Sequence, residues 1–308
     1  MKPQEKEAAQ SKNSDAVATE APPLITVFSI PKPFQGHTGL IQRNAVKSWK
    51  NLGPDVDVIL IGDEKGIGET ADELGVHHVA SIRRNEFGTP LVSSAFQSAH
   101  ETSRSPILVY CNCDVILLSD FARAIKTLVD CSELESFVAI GRRTDLQVDE
   151  EIDFGSQDAV ADLIKLKETQ GKPAAIVCKE FFAFSRLLYS NIPEFAVGRG
   201  NWDNWMVASA RAAGTPIVNI GPATTIIHQN HDYGHLAGHR LQCYATGAEA
   251  RNNQKLAGGR NLVRGSSSTW ILTKQGLRQK KLGWANLDFW SDTIPFVRLM
   301  IDLLVSRE

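Results

Sequence analysis

Long apolar runs are missing from this sequence: nowhere do about 20 uninterrupted apolar residues occur, so no membrane-spanning helix is expected. The opening stretch, MKPQEKEAAQSKNSDAVATEAPP, has no apolar centre and does not read as a secretory signal, which predicts an intracellular, cytoplasmic protein. Cysteine is sparse and odd in number. The five thiols, Cys111, Cys113, Cys131, Cys178 and Cys243, are scattered over 308 residues, which argues against a disulfide framework and for free thiols. Neither sign of charge dominates, with 33 Lys and Arg against 35 Asp and Glu and a net charge of -2, so nucleic acid is not expected as a partner. No internal repeat is evident. What remains is an ordinary globular balance, 43% hydrophobic and 22% charged, in a chain long enough for one large α/β domain or two smaller ones.

Residues 1–23 are polar, charged and alanine-rich, and predict a disordered tail. From Leu24 the pattern changes. LITVFSI reads as a buried strand, and the segment from Gly39 to Leu52 carries Leu40, Ile41, Ala45, Val46 and Trp49 at helical spacing. DVDVILIG predicts a second strand, ETADELGV a short helix stopped at Gly75, VHHVASI a third strand, and the stretch from Pro90 to Thr102 another helix. PILVYCNCDVIL is the most apolar strand candidate. Strands alternating with helices imply a mostly parallel sheet. Further on, FVAIGRR, AAIVCKEFFAF and PIVNIG predict strands and VASARAAG a helix. From about Arg240 the composition shifts toward Gly, Asn, Ser, Lys and Arg, so residues 241–308 are expected to form an extension that closes on an amphipathic helix, PFVRLMIDLLV, behind a catalytic domain at 24–240.

Ligands of open parallel sheets bind outside the carboxyl ends of the strands, so polar residues there are the first candidates. Strand alternation puts Tyr110, Asn112 and Asp114 on one side and Cys111 and Cys113 on the other. An amide and a carboxylate two apart can hold a hard divalent cation with phosphate oxygens on its far side; the plainer reading is a strand-end Asp capping a turn. The segment IIHQNHDYGH, followed by His239, gathers His228, His231, His235 and His239, half of the eight histidines, which suits a metal or an anion, or else a solvated loop. HDYGH also has the outline of an HExxH zinc helix, weakened by Gly234 and by Asp in place of Glu. In GRGNWDNW, Asp203 reads either as a general base with Trp202, Asn204 and Trp205 around a sugar or base, or as an N-cap between aromatic anchors. Arg83, Arg84, Arg142 and Arg143 follow strand candidates and suit a diphosphate or surface ion pairs. Asp63, at the end of the second strand, is placed to accept from a ribose or base, or to cap a turn.

Taken in order, TVFSIPKPF, DVILIGDE, the arginine-rich segment, ILVYCNCDVIL, EFFAFSR, GNWDNWMV and TTIIHQNHDY resemble a nucleotide-sugar-dependent glycosyltransferase of GT-A fold, over roughly Leu24 to Gly259. The resemblance implies a Rossmann-like α/β sheet, a nucleoside-diphosphate sugar donor and a glycan or lipid-linked acceptor. It also implies Mn²⁺ or Mg²⁺ at a D-x-D-type motif, whose place is taken here by Asn112-Cys113-Asp114 with Asp114 as the single anionic ligand. By the same resemblance His228 or His231 completes the metal shell, Asp63 contacts the nucleoside, the arginines approach the diphosphate, and Asp203 stands where inverting members carry the base.

Three rival readings accompany this one. A sugar-phosphate nucleotidyltransferase needs a glycine-rich loop that SIPKPFQGHTG lacks. A nucleotide-sugar-binding protein without turnover is compatible with the missing first aspartate, and a metallohydrolase would use the His228–His239 cluster. Lys274, Arg278, Lys280 and Lys281 ahead of Trp284, Phe289 and Trp290 suit peripheral contact with a membrane surface, or a tail packed on the domain.

Overall fold

The computed structural model describes residues 21–174, 179–231, 247–258 and 268–280. In chain order the elements are β1 (Ile25–Ser29), α1 (Gly36–Lys50), β2 (Val56–Ile61), α2 (Ile67–Leu74), β3 (His77–Val79), α3 (Val92–Thr102), β4 (Ile107–Cys111) and β5 (Val115–Leu117). They continue with α4 (Ser119–Val129), β6 (Val138–Ile140), β7 (Thr144–Leu146), α5 (Gln157–Gln170), β8 (Lys172–Pro173) and β9 (Phe181–Ser185). The last are α6 (Trp202–Ala212), β10 (Ile217–Asn219), β11 (Ile226–Gln229), α7 (Ala248–Leu256), β12 (Trp270–Thr273) and β13 (Gly276–Gln279).

Nine strands form one sheet in the order β13-β12-β10-β6-β9-β4-β1-β2-β3. Pairing is parallel from β4 through β1 and β2 to β3 and again among β6, β10 and β12, while β9 runs antiparallel between the two parallel blocks. This is the mixed α/β fold with a mostly parallel central sheet that the strand and helix alternation predicts. Period-two alternation divides the core cleanly. Ile25, Val27, Ile107 and Val109 pack on one face with Trp49 and Leu60, whereas Phe28, Leu108 and Tyr110 pack on the other with Phe96 and Phe184. On that second face the rings of Phe28 and Phe96 meet edge to face at 5.0 Å, and Phe96 stacks on Phe184 at 5.4 Å.

A second sheet, β5-β11-β7-β8, is the feature that the pattern reading does not contain. The apolar run PILVYCNCDVIL is not one strand. It breaks after Cys111, turns through a Val115 N–H bonded to the Asn112 carbonyl at 3.1 Å, and leaves the large sheet to pair with β11 as β5. The side-chain alternation assumed for Asn112 and Asp114 therefore does not carry through. The small sheet has its own core of Ile116, Leu146, Phe154, Leu163 and Ile227. Helix α1 ties the two sheets together, since the Trp49 indole donates to the Val115 carbonyl at 2.9 Å and the Ser48 hydroxyl accepts from Leu117 N at 3.2 Å.

The described residues beyond 240, 247–258 and 268–280, do not stand apart from the domain. β12 pairs in parallel with β10, burying Trp270 and Leu272 in the main core, and buried Asn253 on α7 bonds both the N–H and the carbonyl of Ala196. Residues 1–20 of the expected tail at 1–23, together with His235, His239, Lys281, Trp284, Phe289, Trp290 and the closing helix, lie outside the described residues. Among the described residues no helix is long and apolar enough to cross a membrane.

Candidate metal and donor site

Three neighbouring parallel strands, β1, β2 and β4, end on the same edge of the large sheet, and each delivers a charged residue just past its end. These are Lys32, Asp63 and Asp114. Lys32 is set by its backbone: its N–H donates to Gln42 Oε1 at 2.7 Å, and its carbonyl accepts from Gln42 Nε2 at 2.8 Å. Burial lowers the Lys32 ammonium from its ordinary value, and the negative charge of Asp114 opposes that shift.

The small sheet completes the arrangement. β5 and β11 pair so that His228 lies opposite Val115, which brings the imidazole beside the preceding residue, Asp114. Asp114 Oδ2 is 3.7 Å from His228 Nε2 and 3.1 Å from His231 Nε2, and one ligand atom from each of Asp114, His228 and His231 lies within 4.8 Å of the others. Gln229 holds the base of the cluster, its N–H and Nε2 both donating to the Asp114 carbonyl, at 3.0 and 3.2 Å.

Burial raises the Asp114 carboxyl, but the hydrogen bond from His231 and the charges of His228, His231 and Lys32 outweigh it and hold the group below the usual carboxylate range. Burial pushes His228 toward the neutral imidazole; Arg143 and His231 act in the same direction, against Asp114 and Asp145. Asp114 cannot draw full help from a His228 that has lost its proton. The ionised carboxylate nevertheless stands, because the His231 hydrogen bond and the Lys32 ammonium remain. A carboxylate oxygen and two imidazole nitrogens are ligands that a divalent cation such as Mn²⁺ accepts. The residues fit such an ion in one further respect: Asp114 Oδ1 is buried and has no hydrogen-bond partner, an arrangement whose cost a cation would remove. Cys111 and Cys113 are excluded from the set, since burial raises both thiols far above their ordinary value and keeps them protonated.

Asn112 is used differently from the expectation. Its N–H and side-chain amide both donate to Glu180, to the carbonyl at 2.9 Å and to Oε2 at 2.5 Å, and its Oδ1 accepts from the Tyr110 hydroxyl at 3.1 Å. It anchors the turn that presents Asp114 and does not share a cation with it. Glu180 also takes Nη1 of Arg143, whose Nε stands 2.7 Å from Asp145 Oδ1.

Asp63 is ion-paired with Arg84, which also reaches Glu64 at 3.0 Å; hydrogen bonding and charge from Arg84 hold the exposed Asp63 carboxyl below its ordinary value. Arg83 turns outward to Glu194 at 2.5 Å. Asp203 lies in the first turn of α6, where Asn201, with φ of 80°, is the N-cap residue and no side chain caps the helix. The N-cap reading of Asp203 therefore fails. Its Oδ2 is instead 3.7 Å from the Nζ of buried Lys179, which donates to Asn204 Oδ1 at 3.1 Å. Since Lys179 precedes Glu180, one continuous string of contacts joins Asp203 to the Asn112–Asp114 turn. Trp202 is 8% exposed and packs edge to face on Tyr110 at 5.1 Å, while Trp205 leans on Phe195 at 5.5 Å. Buried Trp202 fits the aromatic-anchor alternative, with its ring packed into the core cluster, whereas Trp205 is half-buried against the same cluster. His231 follows a strand, so the HExxH helix outline is not formed at its first position.

Arg143, Asp145, Lys179 and Glu180 were not legible as a set. Arg143 stood out only as half of an arginine pair, Asp145 lies in a short polar stretch, and Lys179 and Glu180 interrupt the apolar strand candidate AAIVCKEFFAF with no periodic signal of their own.

Compared by sequence, the chain matches no family profile and no curated protein. Among solved structures it is similar to glucosyl-3-phosphoglycerate synthase from Mycobacterium tuberculosis in complex with Mn²⁺, uridine-diphosphate-glucose and phosphoglyceric acid, at 15% identity and a TM-score of 0.45, over 86% of this chain and 88% of that one. It is also similar to S. aureus TarS in complex with UDP-GlcNAc, at 10% identity and a TM-score of 0.47, over 76% of this chain and 70% of that one.

Proposed function

We propose that this chain is a glycosyltransferase that moves a sugar from a nucleoside-diphosphate donor to an acceptor hydroxyl, with Mn²⁺ or Mg²⁺ held by Asp114, His228 and His231. The observation that carries the reading is the convergence of an ionised Asp114, its unpartnered Oδ1 and two imidazoles at the carboxyl edge of parallel strands, with Lys32 and Asp63 on the same edge. That edge is where α/β sheets bind nucleotides. When bound, the cation supplies Lewis-acid stabilisation of the charge that grows on a leaving diphosphate.

The remaining roles belong to the chain. Lys32 adds a second positive charge beside Asp114 where the diphosphate leaves, and Asp63, braced by Arg84, accepts from the nucleoside. Asn112 and Glu180 keep the Asp114 turn in place. Asp203 is the base that removes the acceptor proton in an inverting displacement, positioned by Lys179 through its ammonium. In this reading the donor-binding and catalytic domain begins at residue 24 and takes in α7 and β12, and the acceptor is a glycan or a lipid-linked hydroxyl.

Thermal shift of the purified chain against UDP, GDP, CDP and TDP, each with Mn²⁺, Mg²⁺ or EDTA, tests the reading, because a ligand that binds the native state raises its melting temperature. A metal-dependent rise with one nucleotide is expected, and its loss in Asp114→Ala. No rise with any nucleotide sinks the proposal. Once donor and acceptor are known, Asp203→Asn is expected to lower kcat by roughly 10²-fold or more while the donor KM holds. Near-normal turnover removes Asp203 from the role of base.

A further inference from the structure

His228 has a second neighbour besides Asp114. β7 and β11 are parallel and pair with His228 directly opposite Asp145, so the register alone brings the Asp145 carboxylate to the far side of the imidazole. Asp145 Oδ1 is 3.1 Å from His228 Nδ1, closer than Asp114 Oδ2 is to Nε2 at 3.7 Å. Both His228 Nδ1 and Asp145 Oδ1 are buried and neither has a hydrogen-bond partner of good angle, so the two meet as a close ion-pair contact and have no competing partner. Asp145 is in turn held by Arg143 Nε at 2.7 Å, and the other end of that guanidinium is on Glu180.

A neutral imidazole carries one ring proton, and two carboxylates flank this ring. The nearer one takes the proton. We propose that Asp145, braced by Arg143, is the positioning residue that keeps the His228 proton on Nδ1, so that the Nε2 lone pair faces Asp114 and the space beside it. Carboxylates behind metal-bound histidines commonly set the tautomer and ring orientation in this way, and their removal weakens metal affinity by about 10–100-fold. Arg143 acts as a hub here, since its two ends hold the carboxylate behind His228 and the carboxylate that anchors Asn112. The inference rests on the reading of Asp114, His228 and His231 as a cation site, but the tautomer itself is a property of the metal-free chain.

The test therefore has two readouts. Long-range proton–nitrogen spectra of ¹⁵N-histidine-labelled, metal-free protein, at a pH where imidazole is neutral and with His228 assigned through His228→Gln, report the tautomer. Calorimetric titration with Mn²⁺ reports affinity. The wild type is expected to show the Nδ1–H form. Asp145→Ala is expected to shift His228 toward the Nε2–H form and to weaken Mn²⁺ binding by about 10–100-fold, with Asp145→Glu restoring most of both. An unchanged tautomer in Asp145→Ala overturns the proposal. Should that variant fail to fold, the wild-type spectrum decides alone, and an Nε2–H ring overturns it. Absence of Mn²⁺ binding in the wild type defeats the metal reading instead and leaves the tautomer result standing.

Discussion

Trp202 shows how one side chain divides between chemistry and packing. In the sequence it flanks Asp203 and is well placed to stack on a ligand, but its ring is buried against Tyr110 and Phe182, at centroid distances of 5.1 and 5.8 Å. Trp202→Ala is expected to destabilise the fold by about 3–5 kcal/mol, read from urea unfolding. The nucleotide-dependent rise in melting temperature should survive in the folded fraction; its loss alone, with stability intact, would return the ring to the ligand. Asp114 and His228 stood out at this scale because a carboxylate and an imidazole beside apolar strand sequence are unusual, and His231 because four histidines fall close together. Asn112 was misread for a physical reason. Its partner, Glu180, lies 68 residues further on, and no local pattern announces a hydrogen bond across that separation.

Among elements, the parallel strands with long apolar runs were readable because both of their faces are buried. β7 and β8 were not. They are Thr144–Leu146 and Lys172–Pro173, too short and too polar to carry a period, and only their pairing with β11 and with each other makes them strands. Yet β7 carries Asp145, so the least legible element supports the centre of the candidate site. Gly171, between α5 and β8, is the tightest point of this assembly. Its backbone is extended with φ of -66°, where alanine is ordinarily tolerated, but a Cβ there would collide with the Lys167 carbonyl and lie 2.6 Å from Thr144 Cγ2. Loss of chain entropy in the unfolded state favours alanine by about 0.4–1 kcal/mol. Overpacking against backbone costs about 1–3 kcal/mol and decides the sign. Gly171→Ala should therefore lower the melting temperature, and by displacing β7 it should weaken Mn²⁺ binding as well. A variant as stable as the parent would show that α5 and β8 move apart at little cost.

For the molecule as a whole, composition alone suggested that the chain past residue 240 is an appendage, because Gly, Asn and Ser replace the apolar runs. Pairing reverses that expectation. Val218 and Asn219 of β10 are opposite Trp270 and Ile271 of β12, and Trp270 and Leu272 reach the core that also contains Trp49, Phe121 and Phe137. A large aromatic ring lodged in a shared core costs about 3–5 kcal/mol to remove, a sizeable part of the roughly 5–15 kcal/mol that separates folded from unfolded chains. A chain ended before Ser268 loses Trp270 and Leu272 together and leaves the β10 edge without a partner strand, an open template for association with other chains. It should unfold at a lower urea concentration than the parent and elute as aggregate in size-exclusion chromatography. An appendage would come away without either effect, so a truncated chain that stays monomeric, with the parent's unfolding midpoint, would restore the boundary at residue 240 and show that the β10–β12 pairing contributes little to holding the sheet together.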